Sequence, residues 1–105
     1  MSFRELQSKE EFDSAIKEGP RVVFVFVYEN EIPASAKEHL PAYLQSFPHI
    51  APPVAFDIAK APEARNSLKI NKTPTILIYR GGQMLVAVEE PNKDKLEEVE
   101  GLFNS

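Results

Sequence analysis

One uninterrupted apolar segment, Val22 to Tyr28, most constrains what this chain can fold into. Its seven residues are all valine, phenylalanine or tyrosine. Side chains that are β-branched or aromatic favour a strand over a helix. A strand that is apolar on both faces must also be covered on both faces, as in a sheet with parallel strands and helices on either side. The segment therefore predicts a central strand of an α/β domain.

The residues before this strand predict a short strand and a helix. Phe3 to Leu6 are typical of the strand. Ser8 and Glu11 then form a Ser-x-x-Glu pattern, in which each side chain accepts a hydrogen bond from a free backbone N–H at the start of a helix. Gly19-Pro20 supplies a residue that tolerates a left-handed cap and one that cannot continue the helix. We expect the helix to end there.

A second helix is predicted to begin at Pro33, because a residue without an N–H suits the first helical position. Apolar residues keep helical spacing to about Ser46. Pro41 lies inside this helix, where it removes one backbone hydrogen bond. We expect a kink at Pro41.

The alternation of strands and helices continues to the end of the chain. By the same criteria, three further strands are predicted, at Val54 to Ile58, at Thr75 to Tyr79 and at Met84 to Val88. A tight turn at Arg80 to Gln83 joins the last two of these strands. Two further helices are predicted, one from Pro62 through Leu68 and a final one capped by Asn92.

Composition limits the size and the chemistry of the protein. A chain of 105 residues fits one domain, so we expect residues 1–105 to form a single unit. The net charge of −4 disfavours nucleic acid and anionic lipid as partners. No signal peptide or membrane span is visible in the sequence, which favours a cytoplasmic protein. The chain has no cysteine, so it offers no disulfide, thiolate nucleophile or thiolate metal ligand.

The predicted order β-α-β-α-β-α-β-β-α, together with the motif from Lys72 to Gln83, closely resembles a thioredoxin. In that family an X-Pro-Thr triplet opens the fourth strand with a cis proline, and a glycine turns the following hairpin. Here Thr73-Pro74-Thr75 and Gly82 match those positions. The resemblance implies an α/β thioredoxin fold, with a central mixed five-stranded sheet flanked by four helices.

The active-site motif of the family is replaced in this sequence. Thioredoxins carry a proline within the active-site helix, and counting back from Pro41 places Pro33-Ala34-Ser35-Ala36 on the Cys-Gly-Pro-Cys motif. Ile32 stands where the family has a tryptophan, and Phe26 or Val27 where it has a buried carboxylate. Thiol–disulfide exchange needs an attacking thiolate and a second sulfur. We therefore expect a redox-inactive protein, not an enzyme of the thioredoxin type. Asp57 falls where the family often has an aspartate.

The retained scaffold favours non-covalent binding of another protein as the function. In thioredoxins an extended substrate chain pairs with the residue before the cis proline. The resemblance implies a binding groove in this chain formed by Ile32, Ser35, Thr73, Pro74, Pro91 and Asn92. Three alternatives stay open: self-association through this groove or an exposed strand edge, binding of a glutathione-like molecule at Ser35 and Thr73, and a structural role in a larger complex.

Other polar groups give weaker indications. The backbone N–H groups at Ala34 to Ala36 could hold an anion, although a solvated helix end is the simpler interpretation. Ser35 and His39 lack an orienting third group for hydrolysis. We expect no metal and no cofactor. Basic residues are expected to gather around Pro74, and these are Arg65, Lys69, Lys72 and Arg80.

Overall fold

The protein is built on one five-stranded sheet. The computed structural model describes residues 4–17, 22–32, 34, 54–90 and 93–104. The strands are β1 (Arg4–Leu6), β2 (Val22–Tyr28), β3 (Val54–Asp57), β4 (Thr75–Arg80) and β5 (Gln83–Glu89). They lie in the order β1-β3-β2-β4-β5. The apolar segment Val22 to Tyr28 is therefore the central strand, as predicted.

The sheet is mixed. β3 pairs in parallel with both β1 and β2, whereas β4 pairs antiparallel with β2 and with β5. All seven residues of β2 are buried, because the strand has a neighbour on each side and a packed layer on each face. These features confirm the predicted α/β thioredoxin fold with a mixed five-stranded sheet.

Three α-helices and one short 3-10 helix lie in the described part of the chain. They are α1 (Lys9–Ile16), the 3-10 helix (Ile58–Lys60), α2 (Pro62–Ser67) and α3 (Lys93–Asn104). The predicted second helix, Pro33 to Ser46 with its kink at Pro41, lies outside the described residues except at Ala34. Within the described ranges, no helix combines the length and the apolar character needed to cross a membrane.

The start of α1 follows the predicted capping pattern with one difference. The Ser8 Oγ accepts a hydrogen bond from the backbone N–H of Glu11 at 3.2 Å, as expected. The Glu11 carboxylate accepts one in return at 3.0 Å, but from the N–H of Gln7, one residue before the cap. The helix ends at Ile16, and the stop predicted at Gly19-Pro20 lies outside the described residues.

The alternating side chains of the strands build one core on each face of the sheet. Phe24, Phe26 and Tyr28 of β2 belong to the first core, which includes Val99 of α3. The second core contains the intervening valines of β2 together with residues of α1 and α2, and its members include Phe12, Val27, Phe56, Ala64 and Leu77. Phe26 and Val27 therefore lie in opposite cores, and neither face carries a carboxylate at this point of β2.

The hairpin between β4 and β5 depends on two glycines. Gly81 and Gly82 have φ angles of 60° and 83°, a pair of left-handed residues that matches the twist of a two-residue hairpin. The register then shifts by one residue between Ile78 and Tyr79, which leaves Leu85 as the extra residue of a bulge. β5 is an edge strand, and its Met84 and Leu85 are 41% and 45% exposed.

Candidate functional site

Three of the predicted binding residues, Ile32, Thr73 and Pro74, lie in the described part of the chain, at one end of the sheet. Tyr28 ends β2 opposite Asp57, which ends β3. Thr75 begins β4 opposite Val27. Residues 73–74 therefore enter the sheet beside the turn by which the chain leaves β2 at residues 29–32. We call this region, with Glu90 at the end of β5, the site end of the sheet.

The Thr73–Pro74 peptide bond is cis, and both residues are half-buried. The Pro74 carbonyl accepts a hydrogen bond of 2.8 Å from the backbone N–H of Glu90. The Thr75 hydroxyl donates to the carbonyl of Lys72 at 2.5 Å. Among the described residues, the backbone N–H and C=O of Thr73 have no hydrogen-bond partner. The strand side of the site is thus fixed in place, while the Thr73 backbone remains available.

Ile32 lies at the site end of the sheet, but its side chain points into the core. It is only 7% exposed and belongs to the same core cluster as Phe26, Ile76 and Val99. Its contribution to the site is to anchor the chain just before Ala34, which is exposed. A charged substitution at residue 32 would therefore disrupt the core before it tested any binding surface.

Five of the predicted site residues belong to segments that the structure does not describe. Pro33, Ser35, Ala36, Pro91 and Asn92 all lie outside the described residues. The groove is consequently described on its strand side only, and the anion and glutathione hypotheses, which use the backbone around Ser35, stay predictions.

Asp57 organises the site end of the sheet. The side chain is 7% exposed, and its Oδ1 accepts hydrogen bonds from the backbone N–H of Asn30 at 2.9 Å and of Ala59 at 3.0 Å. Asn30 has a φ of 71°, so this bond holds a left-handed turn directly after β2. Both contacts are to backbone N–H groups, which makes Asp57 a structural acceptor here.

A second carboxylate near this end interacts with a tyrosine. The Tyr28 hydroxyl donates a 2.8 Å hydrogen bond to Glu5 Oε2. Burial raises the pKa of Tyr28 well above its usual range, and the hydrogen bond and negative charge of Glu5 and the charge of Asp57 add to the shift. The phenol therefore stays protonated at neutral pH and is not a proton acceptor. No sequence pattern indicated this pair, because its members are 23 residues apart.

The expected cluster of four basic residues around Pro74 is wrong for Arg80. This residue ends β4, and five strand steps of about 3.3 Å place it roughly 16 Å from Thr75. Arg65 lies nearer, but its Nη2 pairs with Glu29 Oε2 at 2.6 Å, so its charge is partly neutralised. Lys69 and Lys72 are exposed, and they leave a smaller basic area than the sequence predicted.

The site has no thiol with which to form a covalent bond to a partner. The chain has no cysteine, so no residue can attack a disulfide. Within the described ranges, no group of three histidine, aspartate or glutamate side chains could hold a metal ion. A shallow cleft of about 170 Å³ lies beside Thr75, Leu77 and Ala87. A ligand at the described part of the site could therefore bind through backbone hydrogen bonds and through contact with this cleft.

Comparison with known proteins relates this architecture to solved structures. No protein-family model and no curated protein matches the sequence. A designed protein aligns over 100% of this chain and 100% of its own length, with 26% identity and a TM-score of 0.86. Oxidised mitochondrial thioredoxin 3 from Saccharomyces cerevisiae covers 94% of this chain and is itself covered over 93%, with 20% identity and a TM-score of 0.77. Thioredoxin from Plasmodium falciparum gives 95% and 98% coverage, 17% identity and a TM-score of 0.79.

These similarities extend over almost the whole chain at low identity, so they bear on the fold. They agree with the mixed five-stranded sheet described above. The complete lack of cysteine separates this chain from the chemistry of a thioredoxin. The chain therefore has the thioredoxin fold and contains no cysteine.

Proposed function

We propose that this protein is a redox-inactive thioredoxin-like module that binds an extended segment of another protein without forming a covalent bond. The binding surface is the site end of the sheet, around Thr73, Pro74 and Ala34. The observation that carries the proposal is the backbone of the half-buried residue Thr73, which has no hydrogen-bond partner among the described residues. An extended segment could satisfy both of its groups, as a strand does when it adds to a sheet.

The surroundings of Thr73 support a preformed surface. Pro74 is fixed by the bond from Glu90, and the turn after β2 is fixed by Asp57. A surface whose backbone is already ordered loses less conformational freedom on binding, which favours affinity. The absence of cysteine supports the non-covalent mode, since no mixed disulfide can form with this chain.

The test compares two variants at the site with a matched control. Thr73→Arg and Ala34→Arg place a long charged side chain on the proposed surface, whereas Asn66→Arg places the same side chain on exposed α2. Each protein is immobilised and used to capture binders from native extract, and a captured protein is then titrated against all four forms. Circular dichroism checks that the variants fold.

The expected result is a captured protein whose binding is weakened at least tenfold by either site variant and is unchanged by Asn66→Arg. Such a loss corresponds to about 1.4 kcal/mol or more of binding free energy. Equal binding by all four forms would show that the site end of the sheet is not the binding surface. Failure to capture any protein that binds the original chain specifically would contradict the proposal itself.

A further inference from the structure

The outer edge of β5 carries backbone groups that no other strand of the described structure pairs. The backbone N–H of Glu90 donates to the carbonyl of Pro74, so this pair is a hydrogen-bonded pair of the β4–β5 ladder. Bonded and non-bonded pairs alternate along an antiparallel ladder. Ile76–Val88 is then bonded, and Leu77–Ala87 is not. The backbone N–H and C=O of Ala87 therefore point away from β4, as do those of Glu89.

A side chain contact supports this orientation independently. The Lys95 Nζ of α3 donates to the carbonyl of Glu89 at 2.7 Å and to that of Glu90 at 3.4 Å. Because the Glu89 carbonyl is reached from the outer side, it cannot face β4. Lys95 thus covers one acceptor at the end of the edge, a common way to shield an exposed strand. Ala87 lies next along the same edge.

A groove runs beside these backbone groups. It has a volume of about 500 Å³ and lies between β5 and α3, with Val86, Val88 and Val99 among its lining residues. Its acidic lining residues are Glu89 and Glu98, and Lys95 is the one basic residue among those that line it. The neighbouring Glu90 and Glu97 are also exposed. The groove is thus apolar at its base with Glu98 on its rim, while the side chain of Glu89 lies on the opposite face of the sheet.

We propose that the outer edge of β5 binds an extended peptide segment in which basic and apolar residues alternate. The peptide would add as a sixth strand, with backbone hydrogen bonds to the N–H and C=O of Ala87 and to the N–H of Glu89, whose carbonyl already accepts from Lys95. Side chains of one parity would contact Val86 and Val88 in the groove, and those of the other parity would lie on the opposite face of the sheet, on the side of Glu89. The proposal concerns a different surface from the site end of the sheet and does not depend on the proposed function.

A second copy of this chain fits the edge less well. Pairing of two β5 strands in antiparallel orientation would relate the copies by a twofold axis perpendicular to the sheet. The α3 helices would then lie on the same face, next to each other. Each would bring Glu97 and Glu98 toward the groove of its partner, and like charges at close distance oppose association.

The experiment uses three labelled heptapeptides and the whole chain. The first peptide alternates lysine and valine, the second alternates glutamate and valine, and the third is the lysine–valine peptide with two adjacent central N-methyl groups. Adjacent N-methyl groups block hydrogen bonding along both edges of the peptide without changing its charge. Binding is measured by fluorescence anisotropy at low and high salt, and located by backbone amide shifts in NMR.

We expect the lysine–valine peptide to bind with half-saturation below about 1 mM, to weaken in high salt and to shift the amide signals of Ala87 and Glu89. The glutamate–valine and N-methylated peptides should bind at least tenfold more weakly. Glu89→Gln removes the carboxylate on the face that the peptide lysines occupy and should weaken binding about threefold, since one exposed ion pair contributes little. Glu63→Gln on exposed α2 is the matched control and should leave binding unchanged.

Three results would overturn the proposal. Equal binding of the glutamate–valine peptide would show that charge complementarity does not select the peptide. Equal binding of the N-methylated peptide would show that the peptide does not bind as an added strand. Dimers that form through β5 at micromolar concentration, seen by sedimentation and by shifts at Ala87, would show that a second copy occupies the edge. The peptide should bind normally to Thr73→Arg and Ala34→Arg, so a failure of the proposed function remains distinguishable from a failure here.

Discussion

The Asp57 carboxylate accepts a 2.9 Å hydrogen bond from the backbone N–H of Asn30, across 27 residues of sequence. The same oxygen accepts a 3.0 Å bond from the N–H of Ala59. One buried side chain therefore joins the turn after β2 to the turn after β3, and both turns lie at the site end of the sheet. The geometry of the proposed binding surface depends on this link.

Replacing Asp57 by alanine should destabilise the fold. The change removes the shared acceptor of two partly buried backbone N–H groups, and a fully buried group left unsatisfied costs about 1 to 3 kcal/mol. We expect the free energy of unfolding in urea to fall by about 2 kcal/mol or more. Asp57→Asn keeps one oxygen acceptor and should lose less than the alanine variant. Equal stability of Asp57→Ala and the original chain would show that Asp57 does not hold the two turns.

Truncating Phe12 should be the most damaging single change in the second core. The ring is fully buried, and its centroid lies 5.2 Å from that of Phe56 and 5.8 Å from that of Tyr79. Phe12→Ala should lower the free energy of unfolding by about 3 to 5 kcal/mol, because it removes buried area and leaves a cavity. Phe12→Leu, which fills most of the space, should cost clearly less in the same urea titration. A loss below about 1 kcal/mol for the alanine variant would contradict the described packing.

Two glycines should respond to alanine with opposite signs. Gly82 has a φ of 83°, and an added Cβ would lie 3.2 Å from the Cγ of Lys17. Gly82→Ala should therefore cost about 1 to 2 kcal/mol. Gly101 lies within α3 with open space around it, so Gly101→Ala should gain about 0.5 to 1 kcal/mol through helix propensity. Thermal unfolding of both variants tests the pair, and a stabilising Gly82→Ala would contradict the hairpin geometry.

Alkaline pH should destabilise the protein through Tyr79. Burial raises the pKa of Tyr79 from 10.0 to about 12, and the negative charge of Asp13 adds to the shift. The folded chain therefore holds this proton more tightly than the unfolded chain. Its contribution to stability is fully present below pH 10 and is lost as the pH rises toward about 12.

Tyr79→Phe tests this dependence because it keeps the ring and removes the ionisable hydroxyl. Urea unfolding at several pH values above 9 should give a shallower loss of stability in the variant than in the original chain. Absorbance titration of the folded protein should also show fewer tyrosines ionising near pH 10 than in urea. Identical slopes for the two proteins would contradict the raised pKa.

The fold could be predicted from local patterns. The β-branched and aromatic content of Val22 to Tyr28 predicted the central strand, and the Ser8 and Glu11 pattern predicted the start of α1. The Gly81-Gly82 pair predicted the hairpin. Each of these patterns involves residues that are close together in sequence, so it can be recognised without knowledge of the tertiary structure. The hydrogen-bond donor to the Glu11 carboxylate is Gln7, one residue before the predicted donor, because Gln7 also presents a backbone N–H at the helix start.

The binding site was less predictable, since it is formed by residues distant in sequence. Ile32 was expected on the groove surface, but it is buried against Phe26 and Ile76, and only the packing of the sheet decides which way that side chain points. Arg80 was expected near Pro74, although it lies at the far end of β4. The position of Arg80 follows from the length and direction of β4, and the prediction from charges close in sequence to Pro74 did not consider either.

The sequence by itself determined which reaction this chain cannot perform, because a thiolate is a property of composition and no arrangement of the backbone can supply one. It also determined the order of strands and helices. The tertiary structure alone decided that Asp57 holds two turns together, that Ile32 is a core residue, and that Ala87 directs its backbone groups outward at the edge of β5. These relationships depend on strand register and on side-chain burial, which arise only when distant segments of the chain pack against each other.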